Sequence, residues 1–462
     1  MATRTAIAER YELPWREPRA ARASHHPWAL ALAVALPLAA LYLIVSPPAG
    51  DLAAATYRSD LFARVGFATW DTGWYAAHGH WLPGYSLLSP ALSALLGVRV
   101  LLVISGIAAS VLFAMIARRA FDPLAARIAA VVFALGFSVE LLSGRVPYDL
   151  GFAIGLATVL ALMRGGLPLA LGLAALTSVA SPVAGAFLAL AGLAYAAADA
   201  RHGLALVAAA LAPILALNLA FPEGGYEPFA ASDFWLTLGG VLAIALLLPR
   251  GPLSARGQRV VRVGAALYAL ALIGSFAIQT PVGGNAARLG PPLAAPLLAG
   301  VLWERRRVAL LALAPVVLYW QLVTPIHDVR AVAGDPSVDA SYYAPVLSEL
   351  RRLRHGAPTI VEVPLTKAHW EAAYLAGHDG VALARGWERQ LDTRYGALFY
   401  RPSLGASAYR AWLAENRVVY VALPDAPLDK AGRLEGTLIA RGVPYLRELW
   451  RSEHWRLYRF MG

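Results

Sequence analysis

Residues equipped for chemistry are few in this chain, and they gather in short polar segments. The longest segment is GDLAAATYRSDLFARVGFATWDTGWYAAHGHWLPGYSLLSP, residues 50–90. It holds Asp51, Asp60 and Asp71 beside Trp70, Trp74, Tyr75, His78, His80, Trp81 and Tyr85. A carboxylate within hydrogen-bond reach of a hydroxyl can take its proton as that oxygen attacks. Two arginines stand at the ends of apolar runs elsewhere: Arg145, in residues 143–149, and Arg288, shortly after Gly283-Gly284-Asn285. A guanidinium holds a phosphate through paired charge-assisted hydrogen bonds and stabilises it as a leaving group. The Gly-Gly-Asn stretch could add backbone N–H groups to the same anion. The plainer alternatives are an interfacial aromatic belt for the Trp and Tyr residues, and for the arginines snorkelling or a pair such as Arg145 with Asp149.

The elements that must position these residues follow from composition. The chain has 462 residues, 58% hydrophobic and 15% charged, with a mean hydropathy of +0.55. Soluble domains are about 45–50% apolar and about 25% charged, so the chain is not wholly soluble. Absence of Cys excludes disulfides, thiolate metal sites and cysteine nucleophiles. From Trp28 to Val323 apolar runs alternate with short interruptions. The runs are 28–46, 98–117, 128–144, 149–163, 167–183, 185–199, 203–220, 233–249, 261–279, 290–303 and 308–324, about eleven transmembrane helices. The first is too long, and lacks the small-residue cleavage site, for a typical cleaved signal peptide. The expected layout is a basic segment over 1–27, a polytopic helical membrane domain over 28–324 with a long loop over 47–97, and a second domain over 325–462.

Orientation follows from the arginines. Arg4, Arg10, Arg16, Arg19, Arg22, Arg118, Arg119, Arg127, Arg164, Arg201, Arg250, Arg256, Arg259, Arg262, Arg305, Arg306 and Arg307 fall on one side. Arg58, Arg64, Arg99, Arg145 and Arg288 fall on the other. The positive-inside rule puts the crowded side in the cytoplasm of a bacterial inner membrane, with loop 47–97 and the carboxy-terminal domain outside. The net charge of +11 is then mostly a topology signal, and no nucleic-acid partner is expected. Arg145 and Arg288 are conspicuous because they sit on the Arg-poor face at membrane depth, where ionisable groups are costly without a cavity or partner.

Residues 51–66 are expected to form an amphipathic helix with Leu52, Ala55, Leu61, Phe62 and Val65 on the bilayer. Beyond Thr324, helices near 341–354, 367–376, 408–415 and 429–441 alternate with strands over 359–363, 418–422 and 455–460, an α/β pattern. Trp370, Trp387 and Glu388 lie at element ends and suit carbohydrate, or equally ion-paired structure docking onto the membrane domain. His369 and Glu371 lack a third ligand, so no zinc site is expected. No Ser-His-Asp signature, nucleophile elbow or Gly-rich nucleotide loop occurs. On an outer face without nucleotide sugars, a lipid-phosphate sugar would be the donor whose head group lies there.

The pattern Asp51…Gly66…Trp70-Asp-Thr-Gly-Trp-Tyr…His80-Trp-Leu-Pro-Gly-Tyr-Ser resembles the first external loop of actinobacterial GT-C class, polyprenyl-phosphate-sugar-dependent membrane glycosyltransferases. The resemblance covers most of the chain in layout and rests on short motifs. It implies a GT-C-like fold with an extracytoplasmic α/β domain, and an inverting hexosyl- or pentosyltransferase acting on a cell-envelope glycan or lipid. It makes Asp51 the general base and Arg288 the donor-phosphate arginine; their place on the outer face adds Arg145 and Asn285 to that site as expectations of the sequence. Trp74, Tyr75, His78, His80, Tyr85, Trp370, Trp387 and Glu388 would then meet sugar or acceptor. Many members carry a second acid adjacent to the first, whereas Leu52 follows Asp51. Asp60 or Asp71 supplies that role, or the site is metal-free, or it is degenerate. No cofactor is expected, with a divalent cation left open.

Two other classes compete. A transporter or lipid-handling protein fits the span number, but no repeat relates the halves and acids are nearly absent from the spans, Glu140 and Asp199 lying near span ends. A non-catalytic GT-C-like scaffold with an envelope partner fits the lone Asp51.

Overall fold

The computed structural model describes residues 27–247, 255–304 and 306–462. The expected basic segment, with Arg4, Arg10, Arg16, Arg19 and Arg22, lies outside the described residues, as do Arg250 and Arg305. Every expected span coincides with a helix: Pro27–Val45, Val98–Ala120, Pro123–Glu140, Val146–Met163, Leu167–Ala180, Pro182–Ala196, Ala200–Ala220, Ala231–Leu247, Ala255–Ala277, Gly290–Leu302 and Arg307–Val332. Among the described residues, 7 helices have the length and apolarity to cross a membrane, and three further apolar helices are shorter, Leu167–Ala180, Pro182–Ala196 and Ala231–Leu246. The chain is therefore a multi-pass helical membrane protein, and the expected figure of about eleven exceeds what length alone supports.

Small residues let these helices approach closely, as packing without a hydrophobic driving force requires. Ala31, Ala35, Ala114, Ala130 and Ala134 form one buried cluster between three helices. Larger aliphatic residues such as Leu41, Ile44, Leu135, Leu219 and Val308 point outward and are exposed. Asp199 caps Ala200–Ala220, its carboxylate accepting from the His202 N–H at 3.2 Å.

The loop over 47–97 is folded. It contains helix Gly50–Val65, a hairpin of β1 (Trp70–Asp71) with β2 (His80–Trp81), and helix Ser89–Leu96. The helix forms where expected but does not lay Leu52 and Ala55 on a bilayer. Both are buried within protein, because the helix packs against Ser89–Leu96 on one side and against the short helix Glu371–Tyr374 on another. Only its end, at Val65, is open. Gly66, at φ 74, reverses the chain, and its N–H donates to the Phe62 carbonyl.

The carboxy-terminal sheet has the order β4-β3-β5-β7-β6, with β3 Thr359–Glu362, β4 Val381–Leu383, β5 Tyr420–Pro424, β6 Leu446–Arg451 and β7 Trp455–Phe460. β3 is parallel to β4 and β5, while β7 is antiparallel to β5 and β6. Alternation along β5 sends Val421 and Leu423 toward helices Ala406–Glu415 and Lys430–Ala440. Tyr420 and Ala422 face the other way, toward helix Ala340–Leu353. That second face belongs to a hydrophobic cluster running unbroken through Val361, Tyr343, Trp74, Leu52 and Tyr57 to Phe133 and Tyr42 of the membrane helices. Bundle, first loop and sheet thus share one core.

Candidate active site

Three chain segments bring Asp51, Arg145 and Arg288 together. Asp51 lies in the first turn of helix Gly50–Val65, where unpaired backbone N–H groups favour a carboxylate. Arg145 is the residue before helix Val146–Met163. Arg288 is in the last turn of the 3-10 helix Gly283–Leu289. Asp51 Oδ2 is 3.4 Å from Arg145 Nε and 3.9 Å from Arg288 Nη2. Side-chain exposures of 25% for Asp51 and 28% for Arg288 leave both partly open, against 14% for Arg145.

Arg145 is the hub of the cluster. Its Nη1 donates to Glu140 Oε1 at 2.8 Å, and its Nη2 lies 3.6 Å from Asp328 Oδ2. Ser143 Oγ donates to the same Asp328 oxygen at 2.8 Å. The cation on which Asp51, Glu140 and Asp328 converge is therefore a guanidinium. Asp149, named as a simple pairing partner for Arg145, is not that partner: it is fully buried, and neither carboxyl oxygen has a hydrogen-bond partner among the described residues. Glu140 and Asp149 lie within the expected spans 128–144 and 149–163, and Asp328 lies on helix Arg307–Val332 where it runs past the expected end of its span at 324.

Backbone contacts fix Arg288. Tyr148 Oη donates to its carbonyl at 3.0 Å, and Tyr268 Oη donates to the Ala286 carbonyl at 2.8 Å. The two glycines before it serve close approach. A Cβ on Gly283 would stand 1.8 Å from the Glu227 carbonyl, and one on Gly284 2.9 Å from the Pro228 carbonyl. Gly283 N–H donates to Thr280 Oγ1 and Asn285 N–H to the Val282 carbonyl. Those two N–H groups are thus already engaged, and the expected anion nest is reduced; the Asn285 side chain is buried. Glu227, reached by this contact, stands in the polar interruption 221–227, for which sequence alone suggested no role. Burial pushes it up to about 7, opposed by Arg288 and Arg389 and assisted by Asp51 and Glu388.

Gly144 sets the neighbouring turn. Its φ is 71, and an added Cβ would lie 2.6 Å from Leu52 Cγ and 3.2 Å from the Leu52 nitrogen. Left-handed backbone costs an L-residue about 1–2 kcal/mol before any clash. Gly144→Ala is expected to lower unfolding stability by at least about that much, whereas Gly172→Ala, with nothing within 4 Å, is expected to leave it unchanged or improved. Thermal unfolding in detergent compares the two.

The remaining first-loop acids lie elsewhere. Asp71 accepts from Tyr57 Oη at 2.7 Å and from the Gly73 N–H at 2.9 Å, bracing the hairpin. Asp60 is raised by burial and faces Arg64 and His378. Neither stands beside Asp51. The expected sugar contacts also divide. Trp74 and Tyr75 are 0% exposed; Trp74 stacks on Tyr57, and Tyr75 Oη donates to the Glu388 carbonyl. His80 and Trp370 are buried in the same core, and His78 stacks on Tyr395. Tyr85, Trp387 and Glu388 remain half-buried where the loop meets the sheet domain.

The sheet domain also reaches Asp51. His369 Cδ2 comes within 3.4 Å of a Cβ built on Gly50, and its ring stacks on Trp387. Burial lowers His369 to about 4 against the pull of Asp429, whose carboxylate is 3.7 Å from Nε2, so the ring is neutral at pH 7. Beside it, Glu371 accepts from Thr366 Oγ1 at 2.5 Å and is raised by burial from 4.5 to about 7. A raised folded value favours the protonated native state: its stability contribution is full below about 4.5 and is lost as pH rises through about 7. The stability difference between wild type and Glu371→Gln should therefore shift by about 3 kcal/mol across that window, against the wild type. Unfolding midpoints followed by Trp fluorescence at several pH values measure it.

No family model and no curated protein matches the sequence. Among solved structures, the chain is similar to the oligosaccharyltransferase of Archaeoglobus fulgidus tethered to an acceptor peptide containing an NVT sequon, at 11% identity and a TM-score of 0.47, covering 86% of this chain and 68% of that one. It is likewise similar to the archaeal oligosaccharyltransferase AglB from Archaeoglobus fulgidus in complex with an inhibitory peptide and a dolichol-phosphate, at 12% identity and a TM-score of 0.48, covering 86% and 69%.

Proposed function

We propose that this chain is an integral membrane glycosyltransferase of the GT-C type. It moves a sugar from a polyprenyl-phosphate donor to a cell-envelope glycan or lipid on the outer face of a bacterial cytoplasmic membrane. The observation that carries the reading is the convergence of Asp51, Arg145 and Arg288 from three segments remote in sequence, within 4 Å of one carboxylate oxygen. Arg118, Arg119, Arg127, Arg164 and Arg201, on the opposite side of the chain's alternation, support the orientation.

In the proposed reaction the acceptor oxygen attacks the anomeric carbon as the carbon–oxygen bond to phosphate breaks. Asp51 takes the acceptor proton, and polyprenyl phosphate leaves with its charge held by Arg288 and Arg145. Single displacement inverts the anomeric centre. The long 3.9 Å pair between Arg288 and Asp51 suits this sequence. A phosphate arriving at Arg288 competes with Asp51 for the guanidinium and leaves the carboxylate free to face the acceptor hydroxyl.

Full-length protein in proteoliposomes with labelled polyprenyl-phosphate sugar and a crude envelope acceptor fraction tests the proposal. Transfer to the acceptor is expected, and a donor pool left intact contradicts it. One observation favours a second reading, a transporter: the fully buried, unpartnered Asp149 on a membrane helix. Solute uptake by the same vesicles without sugar transfer would support that reading instead.

A further inference from the structure

One acid beside the site has no task in the proposed reaction. Glu227 is half-buried, and its carboxyl makes no hydrogen bond or ion pair among the described residues. The neighbouring acids are committed. Glu140 and Asp328 hold Arg145, Glu388 pairs with Arg58 at 2.6 Å, and Asp429 pairs with Arg389 at 2.5 Å. Asp149 is unpartnered too, but fully buried.

The backbone on both sides of Glu227 is clamped. Toward the sheet domain, the Tyr226 N–H donates to Thr393 Oγ1 at 3.1 Å, and Thr393 Oγ1 donates to the Tyr226 carbonyl at 3.0 Å. Gly225 lets the segment meet helix Arg389–Tyr395, where an added Cβ would stand 1.6 Å from the Gln390 carbonyl oxygen. Toward the membrane bundle, the Glu227 N–H donates to the Thr280 carbonyl at 3.0 Å. A Cβ on Gly283 would lie 2.9 Å from Glu227 Cβ. Glu227 is thus fixed between the helix that begins at Arg389 and the 3-10 helix that carries Arg288. Burial raises its carboxyl to about 7, and of the charges that act on it Arg288 is the strongest, followed by Arg389, Asp51 and Glu388.

A free carboxyl beside a phosphate-holding arginine is badly placed for the phosphate, which its ionised form repels, and well placed for what the phosphate carries. In a glycosyl phosphate the ring begins one oxygen from phosphorus, so its hydroxyls come next to the groups that hold the anion. A carboxyl accepts from hydroxyls through either oxygen, and donates to one when it holds a proton. A site built to bond a hydroxyl also rejects analogues that lack it. Given the transfer reaction proposed above, on which this rests, we propose that Glu227 is a specificity residue that hydrogen-bonds a ring hydroxyl of the donor sugar while Arg288 holds the phosphate. The clamped backbone fixes where the side chain starts before the donor arrives, which lowers the ordering cost of binding.

Equilibrium binding to the full-length protein in nanodiscs tests it. The probes are methyl polyprenyl phosphate, a diester with the single charge of the donor, and polyprenyl-phosphate mannose, glucose, galactose and arabinose. At least one sugar diester is expected to bind wild type roughly tenfold more tightly than the methyl diester. Glu227→Ala should abolish that advantage and leave methyl diester binding within about twofold of wild type. Glu227→Met, which keeps the volume, should do the same and decides the matter if Glu227→Ala fails to fold. Glu227→Gln still bonds a hydroxyl and should keep part of the advantage. A methyl diester bound as tightly as every sugar diester, an advantage undiminished in Glu227→Met, or equal weakening of all the diesters would overturn this inference alone. Failure of every diester to bind wild type would overturn the transfer reaction with it.

Discussion

Asp51→Asn is expected to cut sugar transfer by about 10²- to 10⁴-fold in kcat, the usual contribution of a positioned general base. Asn keeps the size of the side chain and can place an amide oxygen where the carboxylate stands, 3.4 Å from Arg145 Nε, so the fold should survive. What it loses is the ability to take a proton from the acceptor hydroxyl. It also stops competing for Arg288, so donor KM should stay level or fall. That combination separates a lost base from a damaged binding site, which would raise KM. Asp71→Asn is the contrasting variant, because Asp71 braces the hairpin through Tyr57 and Gly73. It should lower stability and leave kcat close to wild type. Initial rates in proteoliposomes distinguish them, and wild-type turnover by Asp51→Asn would remove Asp51 from the chemistry.

Arg385→Met is expected to destabilise the sheet domain by about 3–5 kcal/mol, the cost of removing one partner from a buried ionic group. Arg385 is 0% exposed at its side chain and lies 3.0 Å from Glu362, 3.1 Å from Glu435 and 3.5 Å from Asp392. Tyr409 Oη donates to Glu435, and the Phe399 ring covers the guanidinium at 3.6 Å. Burial pushes all three acids upward and Arg385 pulls them back. Without it they must take up protons or unfold the site. Met fills most of the volume, so lost charge rather than a void dominates the effect. Adding Glu362→Gln and Glu435→Gln should recover much of the loss, whereas a purely steric defect would not respond. Denaturant unfolding of the three proteins measures this. The consequence reaches the site because residues 387–389, next along the chain, carry Trp387, the Glu388 that pairs with Arg58, and the Arg389 that pairs with Asp429.

Apolar run length made the membrane helices legible, because lipid-facing helices need little else to declare themselves. The run over 28–46 became Pro27–Val45, and the gap between the runs 149–163 and 167–183 fell between helices Val146–Met163 and Leu167–Ala180. The sheet was legible where strands were β-branched, as in Thr359–Glu362. The three-residue strand Val381–Leu383 was too short to register, and Leu446–Arg451 is an edge strand whose Arg and Glu residues hide it. Loop 47–97 was read as polar and interfacial, yet Trp74, Tyr75 and His80 are buried because the sheet domain closes over them. Periodicity cannot show a cover supplied from 300 residues away. The arginine exceptions to the charge rule did point to Arg145 and Arg288. Glu227 and Asp328 carried no comparable signal, because acids contribute little to topology and each joins the cluster only through folding.

In the proposed reaction Arg288, beside Asp51 and Arg145, receives the phosphate of a polyprenyl-linked donor. Equilibrium binding of polyprenyl monophosphate, the leaving group itself, to wild-type protein and to Arg288→Gln tests it most directly. Saturable binding weakened roughly 10- to 100-fold by the substitution is the expected result, the loss of a charge-assisted pair. Equal affinity of the two proteins, with Arg288→Gln folded and still transferring sugar, would contradict the account.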